Sequence, residues 1–200
     1  MRWLCFLLLM IPAVASAQNL PALYDVDGVA QSDTLNVRAG PSTEFDVIDT
    51  LSANAEDVEV VDVNASGEWA LIIVEEQAGR VALRYLKRHP RQSDAGLPQA
   101  ITSYGTEPFW SFNVAQDQSA TFSEPDQDTE IDALVVVPSR NRTDRYALFG
   151  DGGEKIFTTV VAKNQCNDGM SARDFGLSID LLVTGEAGVS ENSGCCSVSR

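Results

Sequence analysis

Residues 34–42 read TLNVRAGPS and predict a β-strand that ends in a turn. Leu35 and Val37 alternate with Asn36 and Arg38, so the apolar pair faces a core and the polar pair faces outward. The Ala-Gly-Pro that follows ends the strand, because proline cannot donate a hydrogen bond to a sheet. The stretch therefore predicts a β domain that carries an amide and a guanidinium on its outer surface.

The residues around this stretch continue the same style as far as residue 88. Short apolar, β-branched runs at 47–51, 58–63, 69–74 and 80–86 are separated by turn residues such as the Asn-Ala-Ser-Gly of 64–67. About five short strands in a segment of this length favour a small barrel-like domain, which closes its own edges.

Residues 24–88 resemble a bacterial SH3 (SH3b) domain. The resemblance is carried by the stretch at 35–42, Gly-Glu-Trp at 67–69, Gly-Arg-Val at 79–81 and Tyr-Leu at 85–86. It implies a small β-barrel that binds cell-wall peptides or other extended ligands and tethers a neighbouring domain. The candidate ligand-binding residues are Asn36, Arg38, Trp69 and Tyr85.

Structural roles are the alternative for these four residues. Asn36 would then satisfy backbone groups of the turn, Arg38 would pair with a nearby acid, and Trp69 would lie in the core. The sequence also departs from the family pattern at Arg80, where an aromatic is frequent, and at Ala70, where a bulkier residue is frequent.

The second half of the chain, residues 101–200, also has strand composition and no convincing amphipathic helix. About seven strands predict a second antiparallel barrel or sandwich, with residues 124–132 as an acidic exposed loop. Residues 89–100 carry two prolines and no apolar period, which is typical of a linker. The predicted fold class is therefore all-β, an SH3-like β-barrel followed by a second β domain.

Two motifs mark this second domain: GTEPFWS at 105–111 and CNDGMS at 166–171. They resemble a poorly characterised family of exported bacterial domains, which implies no established activity. One hypothesis places Glu107, Trp110, Asp168 and Arg173 in a common pocket, where two carboxylates bind a cation, position a sugar or hydrolyse a glycosidic bond. The alternative is an ion pair between Glu107 and Arg173, with Asp168 capping its own turn.

The cysteines predict one disulfide near the C-terminus. Cys195 and Cys196 are adjacent and would close only a strained ring, so Cys166 pairs with one of them. The remaining thiol is buried, oxidised or joined to another chain, and the last case would give a disulfide-linked dimer. Paired metal-ligand motifs are missing, and neither a metal nor another cofactor is predicted.

The first 17 residues have the composition of a cleaved signal peptide. Arg2 precedes an apolar run at 3–14, and Ala-Ser-Ala at 15–17 forms a cleavage site. The run is shorter than the roughly 20 residues of a spanning helix. The mature protein is predicted to be periplasmic or secreted and not to span a membrane.

Charge and histidine content narrow the classes of function. A formal net charge of −15 without a basic stripe disfavours nucleic acid as a partner. The single histidine, His89, lies in the predicted linker, which disfavours Ser-His-Asp and Cys-His catalysis. We expect an exported, non-enzymatic binding protein of the bacterial envelope that recognises peptidoglycan peptide or an envelope protein. The alternative is a carboxylate-dependent hydrolase of envelope glycans that uses Glu107 and Asp168.

Overall fold

The computed structural model describes residues 19–89, 96–98 and 100–199, and these form two antiparallel β-sheets. The predicted all-β, two-domain fold class is confirmed; one of the sheets curls into a half-barrel. The expected signal peptide at 1–17 lies outside the described residues, as do residues 90–95 and 99 of the expected linker. The described residues contain no helix with the length and apolar character that crossing a bilayer requires.

The first sheet has the strand order β3-β2-β6-β5-β4-β1-β7. A 3-10 helix at Leu83–Tyr85 precedes its last strand. Its strands are β1 (Ala22–Val26), β2 (Thr34–Arg38), β3 (Val47–Ser52), β4 (Val58–Val63), β5 (Trp69–Val74), β6 (Gln77–Ala82) and β7 (Leu86–Arg88).

The second sheet has nine strands in the order β11-β10-β9-β8-β16-β15-β14-β13-β12. It is one continuous sheet, so the barrel alternative is closer to the structure than the sandwich. Its strands are β8 (Ile101–Thr106), β9 (Phe109–Val114), β10 (Ala120–Glu124), β11 (Gln127–Ile131), β12 (Val135–Pro138), β13 (Arg145–Asp151), β14 (Ile156–Cys166), β15 (Phe175–Gly185) and β16 (Gly188–Val198).

The alternation in β2 positions the first core. Val37 is fully buried and Leu35 nearly so, whereas Asn36 is exposed. Val37 packs so closely on Gly79 of β6 that a Cβ at Gly79 would overlap its side chain. Burying a valine stabilises the fold by about 1.5–3 kcal/mol, which fixes the register of β2 and leaves its polar side chains facing outward.

The acidic segment at 124–132 is a strand rather than the predicted loop. Residues 127–131 form β11 and pair with β10 through a turn at Pro125 and Asp126. Thr129 and Ile131 are buried on one face, while Asp128 and Glu130 point outward. The acidic residues occupy only the solvent face of the strand, so composition concealed a two-residue alternation.

The two sheets pack directly against each other. Leu23 of β1 is buried in the core of the second sheet. Ala78 N donates to Ala172 O at 3.1 Å, and Ala172 N donates to Glu76 O at 3.2 Å, which joins the start of β6 to the segment before β15. The relative position of the two sheets is therefore set by apolar packing together with backbone hydrogen bonds.

Candidate functional site

One cavity of about 300 Å³ lies on the outside of the first sheet. Strand β2, the start of β5 and the 3-10 helix at Leu83–Tyr85 supply much of its wall. The wall includes all four residues that the sequence nominated: Asn36, Arg38, Trp69 and Tyr85. These residues are up to 49 positions apart in the chain, so the fold brings them together.

Arg38 holds the turn that follows β2. Its Nη1 donates to Thr43 O at 3.1 Å and to Phe45 O at 2.8 Å. The carbonyl oxygens of the turn, rather than an acid, are thus the partners of this guanidinium atom. Arg38 shapes the cavity through the loop that it holds, while Asn36 is exposed at the wall.

Trp69 and Tyr85 provide aromatic surface for the cavity. The side-chain oxygen of Asn64 accepts hydrogen bonds from Glu68 N at 3.1 Å and Trp69 N at 3.0 Å, which fixes where the Trp69 backbone enters β5. Both aromatic side chains are only partly buried. Neither ring is therefore fully enclosed in the core, and both rings can stack against an extended ligand.

Charged groups that the sequence analysis did not select also line the cavity. Arg84 is exposed, and its guanidinium carbon lies 4.6 Å from the centre of the Tyr85 ring. Asp33 contributes a carboxylate. Two guanidinium groups in a chain of net charge −15 make this wall locally basic, which suits a ligand that carries carboxylates. The sequence analysis did not select Arg84, because a 3-10 turn of three residues has no periodic pattern that marks it in the sequence.

Glu107 and Asp168 lie on different turns of the second domain. Glu107 is exposed in the turn between β8 and β9. Asp168 lies in the segment between β14 and β15.

Trp110 is a core residue. It is 7 % exposed, and its ring centre lies 6.3 Å from that of Phe122. Its indole ring covers Gly105, where a Cβ would collide with it. The early motif therefore contains a packing pair, a glycine and a tryptophan.

Asp168 stabilises its own turn, as the structural alternative predicts. Its carboxylate accepts hydrogen bonds from Met170 N and Ser171 N, both at 2.9 Å. Burial raises the pKa of Asp168, but these hydrogen bonds and the nearby charge of Arg173 outweigh it and hold the pKa below its ordinary value. The carboxylate is thus an ionised turn cap.

Arg173 faces the junction of the two sheets rather than Glu107. Its guanidinium acts on Asp168 and on Glu59 of β4, and its carbon lies 5.1 Å from the centre of the Phe175 ring. The Glu59 side chain extends from the first sheet to the second. Its Oε1 accepts a hydrogen bond there from Val198 N of β16 at 2.8 Å. Burial raises the pKa of Glu59 to about 7, although this hydrogen bond and the charge of Arg173 lower it.

The predicted disulfide is formed by Cys166 and Cys195, whose Cα atoms are 5.7 Å apart. It joins β14 to β16 across β15. Cys196 is the remaining thiol and is fully buried, with Ser103 Oγ donating to its Sγ at 2.7 Å. Burial raises the pKa of Cys196 to about 12. A disulfide-linked dimer through this thiol would require the strand to open.

The sequence analysis also did not predict an exposed apolar surface on the second sheet. Seven large apolar side chains share the outer face of β12–β16, which we call the outer apolar face. Their register makes them neighbours across five strands. They are Val135, Val137, Phe149, Ile156, Val160, Leu182 and Val189. Strand composition predicted these strands but not which face would stay open.

Comparison of the chain with protein-family models, with curated proteins and with solved structures found no match. The resemblances of the two halves therefore rest on their sequence motifs.

Proposed function

We propose that this protein is an exported, non-enzymatic binding protein of the bacterial envelope, whose first domain is an SH3b module that binds a cell-wall peptide. One observation carries the proposal: the four residues nominated from sequence line a single cavity. An extended peptide would lie along β2, with its backbone against Asn36 and its flat groups against Trp69 and Tyr85.

The charges of the cavity favour the peptide of peptidoglycan over a neutral segment. Peptidoglycan peptides carry carboxylates, and Arg84 presents an exposed guanidinium at the cavity wall. Asp33 at the same wall offers a partner for an amine of the ligand. Recognition of an envelope protein through a carboxylate-bearing segment would use the same chemistry.

The second domain acts as a partner module in this proposal. The outer apolar face is the surface that supports this role, because large contiguous apolar patches on a folded protein mark interaction sites. The Cys166–Cys195 disulfide supports a periplasmic or secreted location, since such bonds persist in oxidising compartments. The signal-like composition of residues 1–17 supports it independently.

Retention on purified peptidoglycan tests the proposal. The chain from residue 18 onward is expected to sediment with peptidoglycan, and Arg84→Ala or Tyr85→Ala should lower the retained fraction at least tenfold. Arg140→Ala is the matched control, because it removes an exposed arginine from the second domain. Equal retention of the Arg84 and Arg140 variants would contradict the cavity assignment.

The same samples test the enzymatic alternative. A binding protein leaves the polymer intact, so no soluble glycan should appear in the supernatant. Release of glycan that disappears in Glu107→Gln would contradict the proposal and favour hydrolysis.

A further inference from the structure

Three potential metal ligands meet at the edge of the first sheet. Asp25, Asp57 and His89 place one ligand atom each within 4.8 Å of one another, and all three side chains are partly buried. They come from β1, from the residue directly before β4 and from the residue directly after β7. His89 is the only histidine in the chain. We propose that these residues bind one zinc ion.

Strand pairing and backbone hydrogen bonds hold the main chain at Asp25, Asp57 and His89 in place without an ion. β1 and β7 pair so that Asp25 lies opposite Lys87, and His89 lies two residues further on the same face. His89 N donates to Leu23 O at 3.0 Å, which keeps the end of β7 on the sheet. Val26 N donates to Ala55 O at 2.8 Å, which holds the segment that carries Asp57 beside β1.

The donor set selects the type of metal. Magnesium and calcium prefer oxygen ligands alone, whereas zinc accepts imidazole nitrogen together with carboxylate oxygen. Zinc with three protein ligands keeps a fourth position for water. Bond lengths of about 2.0–2.2 Å place tetrahedral ligand atoms roughly 3.4 Å apart. Binding would therefore draw these atoms inward by about 1 Å, which small side-chain rotations supply.

The charges around the cluster favour a cation. Asp25 and Asp57 bring two carboxylates close together in a chain of net charge −15. Lys87, the basic residue opposite Asp25 in the ladder, is exposed. A divalent ion between the carboxylates neutralises both and orders the imidazole.

The proposed ion would have a structural role. His89 directly follows β7, the last strand of the first sheet in chain order, and is thus the exit point of that sheet. Zinc would tie this exit point to β1 and to the start of β4. The inference does not depend on the cavity or on what binds there.

Proton NMR of the untagged protein tests it, because the single histidine gives a single set of imidazole signals. One equivalent of Zn²⁺ should shift these signals, and an excess of Mg²⁺ should not. Calorimetry should give a stoichiometry of one, with binding at least ~100-fold weaker in His89→Ala, Asp25→Asn and Asp57→Asn, since loss of even an outer-shell partner costs about 10–100-fold.

Asp27→Asn is the matched control, because it removes the same charge two residues from Asp25 without touching the cluster. It should bind zinc like the parent protein. Circular dichroism of each metal-free variant separates lost ligation from lost folding, and a folded Asp25→Asn or His89→Ala is sufficient for the comparison. Unmoved imidazole signals, or equal weakening by Asp27→Asn and Asp25→Asn, would overturn the proposal.

Discussion

Glu59→Gln is expected to change how the stability of the protein depends on pH. Glu59 lies at the junction of the sheets, and burial raises its pKa from 4.5 to about 7. The unfolded chain releases this proton near pH 4.5, whereas the folded chain keeps it up to about pH 7. Between these values the folded state binds more protons, so the free energy of unfolding falls as pH rises.

The size of the effect follows from the same two pKa values. Each unit of difference corresponds to about 1.4 kcal/mol, so ionisation of Glu59 should cost the folded protein about 3 kcal/mol by pH 8. Glutamine stays neutral and keeps an oxygen that can accept the hydrogen bond of Val198 N. The variant should match the parent near pH 4.5 and exceed its stability by up to about 3 kcal/mol at pH 8.

Urea unfolding between pH 4.5 and 8.5, followed by tryptophan fluorescence, measures this difference. Glu44→Gln is the control, because Glu44 is exposed on a loop of the first sheet. Its pH profile should run parallel to that of the parent protein. The reasoning is refuted if Glu59→Gln and the parent differ by the same free energy at pH 5 and at pH 8.

The remaining predictions concern packing and cysteine chemistry. Gly79→Ala should destabilise the first sheet by about 1–3 kcal/mol, because the added methyl group overlaps buried Val37; urea unfolding measures this, and an unchanged midpoint contradicts it. Cys166→Ser should lower stability by about 3–4 kcal/mol, because the disulfide spans a sequence separation of 29, and the loss should equal that on reduction of the parent. Cys196 should resist iodoacetamide until the protein is unfolded, because its thiol is buried with a pKa of about 12; rapid labelling of native protein in mass spectrometry would count against this.

Strand alternation was enough to predict much of the fold. The apolar alternation of Leu35 and Val37 placed Asn36 outside, because a buried face specifies the register of a strand. The segment at 127–131 was misread because its acidic residues dominate the composition while only Thr129 and Ile131 face the core. The overall composition of a strand does not show which residues lie on its buried face and which lie on its exposed face.

Only the cavity residues that belong to recognisable sequence motifs could be predicted from the sequence. Asn36 and Tyr85 came from motifs at separate points in the chain, and the fold placed them on one cavity wall. Arg84 and Glu59 carried no such signal, since the role of each depends on what another element brings next to it. The burial of Trp110 carried no such signal either, because it depends on the room that Gly105 leaves for the indole ring.

The central claim is that a peptide occupies the cavity on the first sheet, and the indole signals test it most directly. The chain from residue 18 onward contains two tryptophans, Trp69 at the cavity and Trp110 in the second core. In a ¹⁵N-¹H NMR titration with a soluble peptidoglycan fragment, we predict that the Trp69 indole signal shifts while the Trp110 signal stays fixed. A fixed Trp69 signal at saturating fragment, or shifts confined to the outer apolar face, would contradict the claim.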